Sequence, residues 1–382
     1  LSKIVKKYDQ GYNGEIFNEK KVLSKKNKKK YFIKEFFLPF PRLDTRLGWA
    51  GEKNSTRAHH LIIAKDKVIT ISGEGETIYF IKNNIFNTQL NEKKIPNNIQ
   101  NLLVENNYKL IGIRDLYLID KKLYISLIFK NETGYSINAY RADLNFEKLD
   151  FKLFFETKEY WKDYNVFSGG RFFDYKENKI LFTIGYANIK GAAQNLNSLL
   201  GKIIAIDKQN KEYKIVSMGH RNPQGLYYIK DLDIIINTEH GPKGGDEINV
   251  NYQKSNQTPN YGWDIASYGT TYSKKDIFKK SHSKYGFIEP LKYYVPSIGI
   301  SQLLYMSNKF NEDNKKYLYV TSLRAGSIYV IEINEDFNQI INEDRIYFQQ
   351  RIRDIDYDKE NDLFFLIFEN IPSIGVLKQS NE

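Results

Sequence analysis

The chain has 382 residues and a formal charge of +11, with 41% hydrophobic and 15% aromatic residues. That composition supports a packed core and excludes wholesale disorder, and no run approaches the ~18 apolar residues of a membrane helix. With no Cys there is no disulfide framework, thiolate metal site or Cys nucleophile, and the five His (His59, His60, His220, His240, His282) never show the i, i+4 spacing of a zincin.

The charge is local. Residues 1–30 hold ten Lys against three acids, leaving only +4 for the other 352 residues. A nucleic-acid reader needs a basic face within its fold, so this segment reads as a solvated basic arm and nucleic acid is set aside as a partner. The arm is followed by an apolar segment, YFIKEFFLPF at Tyr31–Phe40.

From there one pattern recurs: a polar token, an alternating strand, a turn, then a strongly apolar strand. It reads HHLIIAKDKVITIS from His59, RDLYLIDKKLYIS from Arg114 and GRFFDYKENKILFTI from Gly170. It returns as QGLYYIKDLDIIINT from Gln224, SQLLYM from Ser301 and RDIDYDKENDLFFLI from Arg353. With His60, Asp115, Arg171, Gly225, Gln302 and Asp354 as anchors, the steps are 55, 56, 54, 77 and 52 residues. Six hairpin units with almost no helical periodicity predict an all-β chain, a six-bladed β-propeller over residues 31–382. The long step marks an insertion at about 251–295. After Asp354 there is room for three strands, so Tyr31–Phe40 is expected to supply the fourth and close the ring, leaving no open sheet edge.

The tokens before the inner strands concentrate arginine. Six of the 11 Arg fall there (Arg57, Arg114, Arg171, Arg221, Arg351, Arg353), and Arg324 follows the strand YLYVTS. Guanidinium grips carboxylates bidentately, so a ring of them at one mouth suits a planar, multiply anionic ligand. The alternative is that each pairs with its neighbouring acid, as Arg114–Asp115 or Arg353–Asp354, to clamp blades. In GHRNPQG, Pro223 and Gly225 predict a turn presenting Arg221, Asn222 and Gln224. The carbonyls and acids of HGPKGGDE either suit Ca²⁺ or form a capped glycine hairpin.

These motifs resemble those of the soluble pyrroloquinoline-quinone (PQQ) sugar dehydrogenases, the glucose/sorbosone and aldose dehydrogenase family of six-bladed propellers. The resemblance rests on SGGR at Ser168, GKIIAID at Gly201, GHRNPQG at Gly219 and EHGPKGGDEIN at Glu239. It continues through NYGW at Asn260, VPSIGIS at Val295, SLRAGS at Ser322 and RIRD at Arg351. It implies PQQ and Ca²⁺ as cofactors, with Arg221, Asn222, Tyr272, Arg324, Arg351 and Arg353 around the quinone. The backbone carbonyls of Gly241 and Pro242 would hold the catalytic Ca²⁺, and Glu247 with the Tyr261 carbonyl a second one. It also implies hydride transfer from a sugar or similar alcohol, an unidentified electron acceptor, and a periplasmic or secreted location.

One departure bears on catalysis. Active relatives carry a His four residues before the motif's Arg to take the substrate proton, and that position is Phe167. His240, Asp163 and Tyr164 are the substitutes to place. Without a base, the expectation becomes a propeller that binds PQQ or another anion, or a scaffold for protein partners.

Overall fold

The computed structural model describes residues 16–40, 58–83, 85, 89–165, 167–253, 257–272, 278–307 and 315–380. Six antiparallel sheets succeed one another along the chain. The first contains β3 (His60–Ala64), β4 (Lys67–Ile71), β5 (Thr77–Ile81) and β6 (Lys93–Lys94), followed by the short helix α1 (Ile99–Glu105). The second runs β7 (Lys109–Ile119), β8 (Lys122–Lys130), β9 (Tyr135–Asp143), β10 (Lys152–Glu156), and the third β11 (Gly169–Tyr175), β12 (Lys179–Ile184), β13 (Lys202–Asp207), β14 (Tyr213–Met218). The fourth is β15 (Pro223–Ile229), β16 (Ile234–Glu239), β17 (Asp246–Asn251) and β18 (Lys292–Tyr294). The predicted insertion therefore lies between the last two strands of that sheet. The fifth is β19 (Ile300–Ser307), β20 (Lys316–Ser322), β21 (Ser327–Ile333) and β22 (Ile340–Tyr347).

The sixth sheet has the order β1-β2-β25-β24-β23. Its C-terminal strands β23 (Ile352–Asp358), β24 (Leu363–Phe368) and β25 (Ser373–Gln379) take β2 (Lys30–Phe37) as the fourth, in register from Tyr31↔Gln379 to Phe37↔Ser373. The ring closes as the sequence predicts. A fifth strand, β1 (Ile16–Leu23), pairs outside β2. The basic segment 1–30 is thus not wholly an arm, because its second half meets the open edge of β2.

Strand periodicity explains how the blades cohere. Side chains alternate faces along a strand, and every residue of β24 is buried. Phe364, Leu366 and Phe368 enter a core shared with the fifth blade, whereas Leu363, Phe365 and Ile367 enter one shared with the first. The closing strand does the same, giving Tyr31 and Ile33 to one core and Phe36 to the other, which Leu38 and Phe40 extend. Each of the other neighbouring pairs of blades shares its own core. The innermost strands β3, β7, β11, β15, β19 and β23 line a central tunnel, each touching the next and β23 touching β3. All six repeat anchors sit on these strands.

Candidate active site

Two motifs build the wall of the upper tunnel mouth. The buried His220 bonds through Nδ1 to Glu239 Oε1 (3.0 Å) and through Nε2 to Ser217 Oγ (2.8 Å), and its ring stacks on Tyr261 at 4.9 Å. Glu239 Oε2 accepts the Arg221 N–H at 2.6 Å, and the His240 N–H donates to the Asn222 carbonyl at 3.1 Å. GHRN and EHGP are thereby locked side by side. Gly219, at φ +74°, admits the NYGW segment, since a Cβ there would lie 2.1 Å from Asn260 Oδ1. Pro223 and Gly225, expected as a turn, instead open β15 with a bulge between them.

The mouth is a cavity of about 280 Å³. It is lined by Arg114, Arg171, Arg221, Asn222, Arg324, Arg351 and Arg353, together with Tyr272, Gly241 and Pro242. Every residue expected around a quinone therefore lines it, as do Gly241 and Pro242, whose carbonyls were expected to hold a Ca²⁺. Arg353 Nε and Arg351 Nε share the buried Glu369, at 2.6 and 2.9 Å, so one carboxylate orients two guanidinium groups and leaves positive charge in excess. Arg353 Nη1 also donates to Gln224 Oε1 at 2.7 Å. Arg221 Nη1 donates to the His240 carbonyl (3.0 Å), and its buried Nε has no hydrogen-bond partner. Arg324 and Tyr272 are exposed at the rim, the Tyr272 hydroxyl 3.4 Å from the Pro242 carbonyl.

The arginines of the tokens do not all sit at one level of this mouth. Arg171 lies one layer down, in a plug across the tunnel. Its Nη1 donates to Asp115 Oδ1 (2.7 Å) and lies 3.3 Å from both oxygens of Asp354. Nε donates to the Gln224 carbonyl (2.7 Å) and Nη2 to the Arg353 carbonyl (3.3 Å). The sequence-adjacent clamps do not form: Asp115 and Asp354 pair with Arg171, and Arg353 pairs with Glu369. Neighbours on a strand point to opposite faces, which forbids the adjacent pairing. Arg57 lies outside the described residues.

Of the candidate bases, Asp163 is exposed and outside the cavity, while Tyr164 and His240 line it. Burial pulls the His240 imidazole down to about 4 against the charge of Asp246 at 4.0 Å, and Arg353, Arg221 and Arg351 add to the lowering. Phe167 also faces the cavity, its ring 4.4 Å from the Arg221 guanidinium carbon, with Trp263 at 5.3 Å and Tyr186 at 5.8 Å completing an aromatic wall. The sequence reading passed over His60, which lines the cavity floor. Its Nδ1 lies 3.1 Å from Asp354 Oδ2 and its Nε2 has no partner. Its position as a repeat anchor was the available signal.

Glu247 and Tyr261 lie behind the wall. Burial, then the charge of Glu239, pushes the Glu247 carboxyl well above the usual range. Asn249 Nδ2 bridges Glu239 (2.7 Å) and Glu247 (3.4 Å), and neither ring nitrogen of the buried His282 has a hydrogen-bond partner. Glu247 Oε1 is 3.8 Å from His282 Nε2.

Fold and cavity together define a closed six-bladed propeller with an arginine-rich mouth. The family profile of glucose/sorbosone dehydrogenase matches residues 111–371, and the chain belongs to that family. It is 31% identical over 238 residues to the aldose sugar dehydrogenase YliI of Escherichia coli (strain K12), a match covering 58% of this chain and 62% of the relative. An uncharacterized protein of Synechocystis sp. is 29% identical over 284 residues, 68% of each chain. Among solved structures, a glucose dehydrogenase superposes with a TM-score of 0.71 at 20% identity, covering 86% of this chain and 98% of the other. The PQQ-bound aldose sugar dehydrogenase of Streptomyces coelicolor does so at 0.61 and 15% identity, covering 91% and 98%. At these identities the superpositions establish the fold.

Proposed function

We propose that the chain binds PQQ and Ca²⁺ in the arginine cavity and oxidises an aldose or similar alcohol. The observation carrying this reading is the convergence of six arginines on one cavity, where the buried Nε of Arg221 has no partner and the Gly241–Pro242 segment shares the lining. That donor set fits a planar tricarboxylate, and the Gly241 and Pro242 carbonyls fit a hard cation beside it. When bound, the quinone supplies the hydride-accepting centre. The protein supplies the rest: Arg351 and Arg353, aligned by Glu369, take carboxylates; Arg324 closes the rim; Asn222 and Tyr272 fix the ring's orientation. Glu247, with the Tyr261 carbonyl, fits a second cation, which would relieve the like charge of two buried carboxylates.

A phenyl ring cannot accept a proton, so Phe167 contributes packing and water exclusion. Among the described residues lining the cavity, His240 is the imidazole beside the Gly241–Pro242 carbonyls, and it is the proposed proton acceptor. A thermal-shift titration with PQQ, with and without Ca²⁺, tests the binding step. Arg221→Ala and Arg351→Ala should each weaken binding about tenfold or more, the cost of one charge-assisted contact. Unchanged affinity in both would return these arginines to a structural role.

The packing of Phe167 on Arg221 favours a second reading, in which the chain binds the quinone without turnover. Dye-linked sugar oxidation separates the two. Neither binding nor turnover would leave the scaffold reading. The electron acceptor and the periplasmic or secreted location belong to this proposal as expectations.

A further inference from the structure

The tunnel has a second mouth, below the Arg171 plug, with a cavity of about 490 Å³. Strand periodicity fixes its lining. Two residues beyond the anchors, the inner strands present Ile62, Tyr117, Phe173, Tyr227, Leu304 and Asp356 to the same tunnel. The aromatic side chains form a continuous arc: Tyr117–Phe173 at 5.4 Å, Phe173–Tyr227 at 4.5 Å and Tyr227–Tyr305 at 6.0 Å between ring centroids. All four rings are only partly buried and line the cavity.

Asp356 is the one charged group of this layer. Its oxygens accept the N–H groups of Ile63 (2.9 Å) and Tyr357 (2.8 Å). Among the described residues no Lys or Arg forms an ion pair with it. Burial above all, and the charge of Asp356 as a lesser cause, pushes up the phenols of Tyr117 and Tyr227. Burial, first, raises the Asp356 carboxyl itself to about 6. Further in, Asp115 and Asp354 face the same cavity from beneath Arg171. Against the arginines of the upper mouth, the lower one is lined by four carboxylates (Asp115, Asp231, Asp354, Asp356) and two lysines (Lys230, Lys359) beside its aromatic side chains.

We propose that this lower cavity is a binding site for a small organic cation, an ammonium group with a compact apolar body. The aromatic faces attract the cation through their quadrupoles, and Asp356 supplies its counter-charge. The volume falls within the usual range for small-molecule sites. The inference is independent of the quinone reading, because it uses no residue that reading places around the quinone or its metal ions.

The test is calorimetry with choline against its neutral isostere, 3,3-dimethyl-1-butanol, on the full chain. Choline should bind saturably at one site and the alcohol at least tenfold more weakly. Asp356→Asn and Tyr227→Leu should each weaken choline tenfold or more. The proposal is overturned if choline shows no saturable binding, if the two probes bind equally, or if both variants retain wild-type affinity. Should Asp356→Asn fail to fold, the isostere comparison on the wild type together with Tyr227→Leu decides the matter.

Discussion

Replacing Arg171 with alanine removes the one cation that, among the described residues, pairs with Asp115 and Asp354 in the tunnel plug. Its side chain is 3% exposed and contacts groups on four other blades: His60, Asp115, Gln224 and Asp354, the last 183 residues away. Without it, two buried carboxylates face each other beside His60, and breaking a buried pair typically costs about 3–5 kcal/mol. An unfolding entropy of about 2.1 cal/mol/K per residue gives roughly 0.8 kcal/mol/K for this chain, hence a melting temperature lower by about 4–6 °C. The sign with pH also follows. Burial already holds Asp115 up at about 6 beside Arg171, and it rises further without that cation. A carboxyl raised on folding takes up a proton, so the deficit is smallest near pH 4 and grows as the pH passes through 6. Ligand atoms of His60, Asp115 and Asp354 lie within 4.8 Å of one another. The variant therefore acquires the donor set of a zinc site, and zinc at ~100-fold its Kd should restore about 2.7 kcal/mol. Differential scanning fluorimetry of both proteins, with and without zinc, measures each term. A melting temperature unchanged within 1 °C, or equal stabilisation of the wild type by zinc, would refute the assignment of Arg171 as a built-in cation.

Three further outcomes are expected. With His240, held down at about 4, as the proton acceptor in place of the family's His, wild-type sugar oxidation saturated with PQQ and Ca²⁺ should fall at least ~10²-fold below that of a His-bearing relative, and Phe167→His should raise it; robust turnover indifferent to that change would show that Phe167 costs the reaction nothing. Deleting residues 1–45 should abolish cooperative unfolding, because Tyr31, Ile33, Phe36, Leu38 and Phe40 at about 1.5–3 kcal/mol each amount to the order of a whole domain's stability; a truncated chain with the full melting temperature would contradict the closure. Lys202 is fully buried, its Nζ donating to the carbonyls of Ala192, Ala193 and Leu200 at 2.9, 3.1 and 2.8 Å, and burial pulls it down to about 8. A lysine lowered on folding binds fewer protons folded than unfolded between about 8 and 10.4, so wild-type stability relative to Lys202→Met should rise over that window; parallel pH profiles of the two melting temperatures would remove the effect.

The blade repeat was legible because a propeller's inner strands must alternate and recur at near-constant spacing. The closing strand was legible because three strands cannot seal a four-stranded blade. The pairing of β1 with β2 was not. IFNEKKVL carries a polar, lysine-rich pattern that reads as solvated arm, and its place at the sheet edge follows from the unpaired edge of β2 rather than from its own composition.

The site divides the same way. Arg221, Asn222, Arg351 and Arg353 were legible because each stands just before or at the start of an inner strand, where every blade delivers residues to the upper mouth. The depth of Arg171 was not legible, although its token looks like the others. SGGR places two glycines ahead of the arginine, and a Cβ at Gly170 would lie 2.5 Å from Arg114 Cβ. That close approach packs β11 against β7 and drops Arg171 one layer, where Asp115 and Asp354 neutralise it. A chain with arginine at the top of the tunnel and carboxylates at the bottom needs such a compensated layer between them. Low dielectric would otherwise couple the two mouths, each mouth's field opposing the ligand the other attracts. The plug would let one tunnel hold the proposed anion site and the proposed cation site at opposite ends.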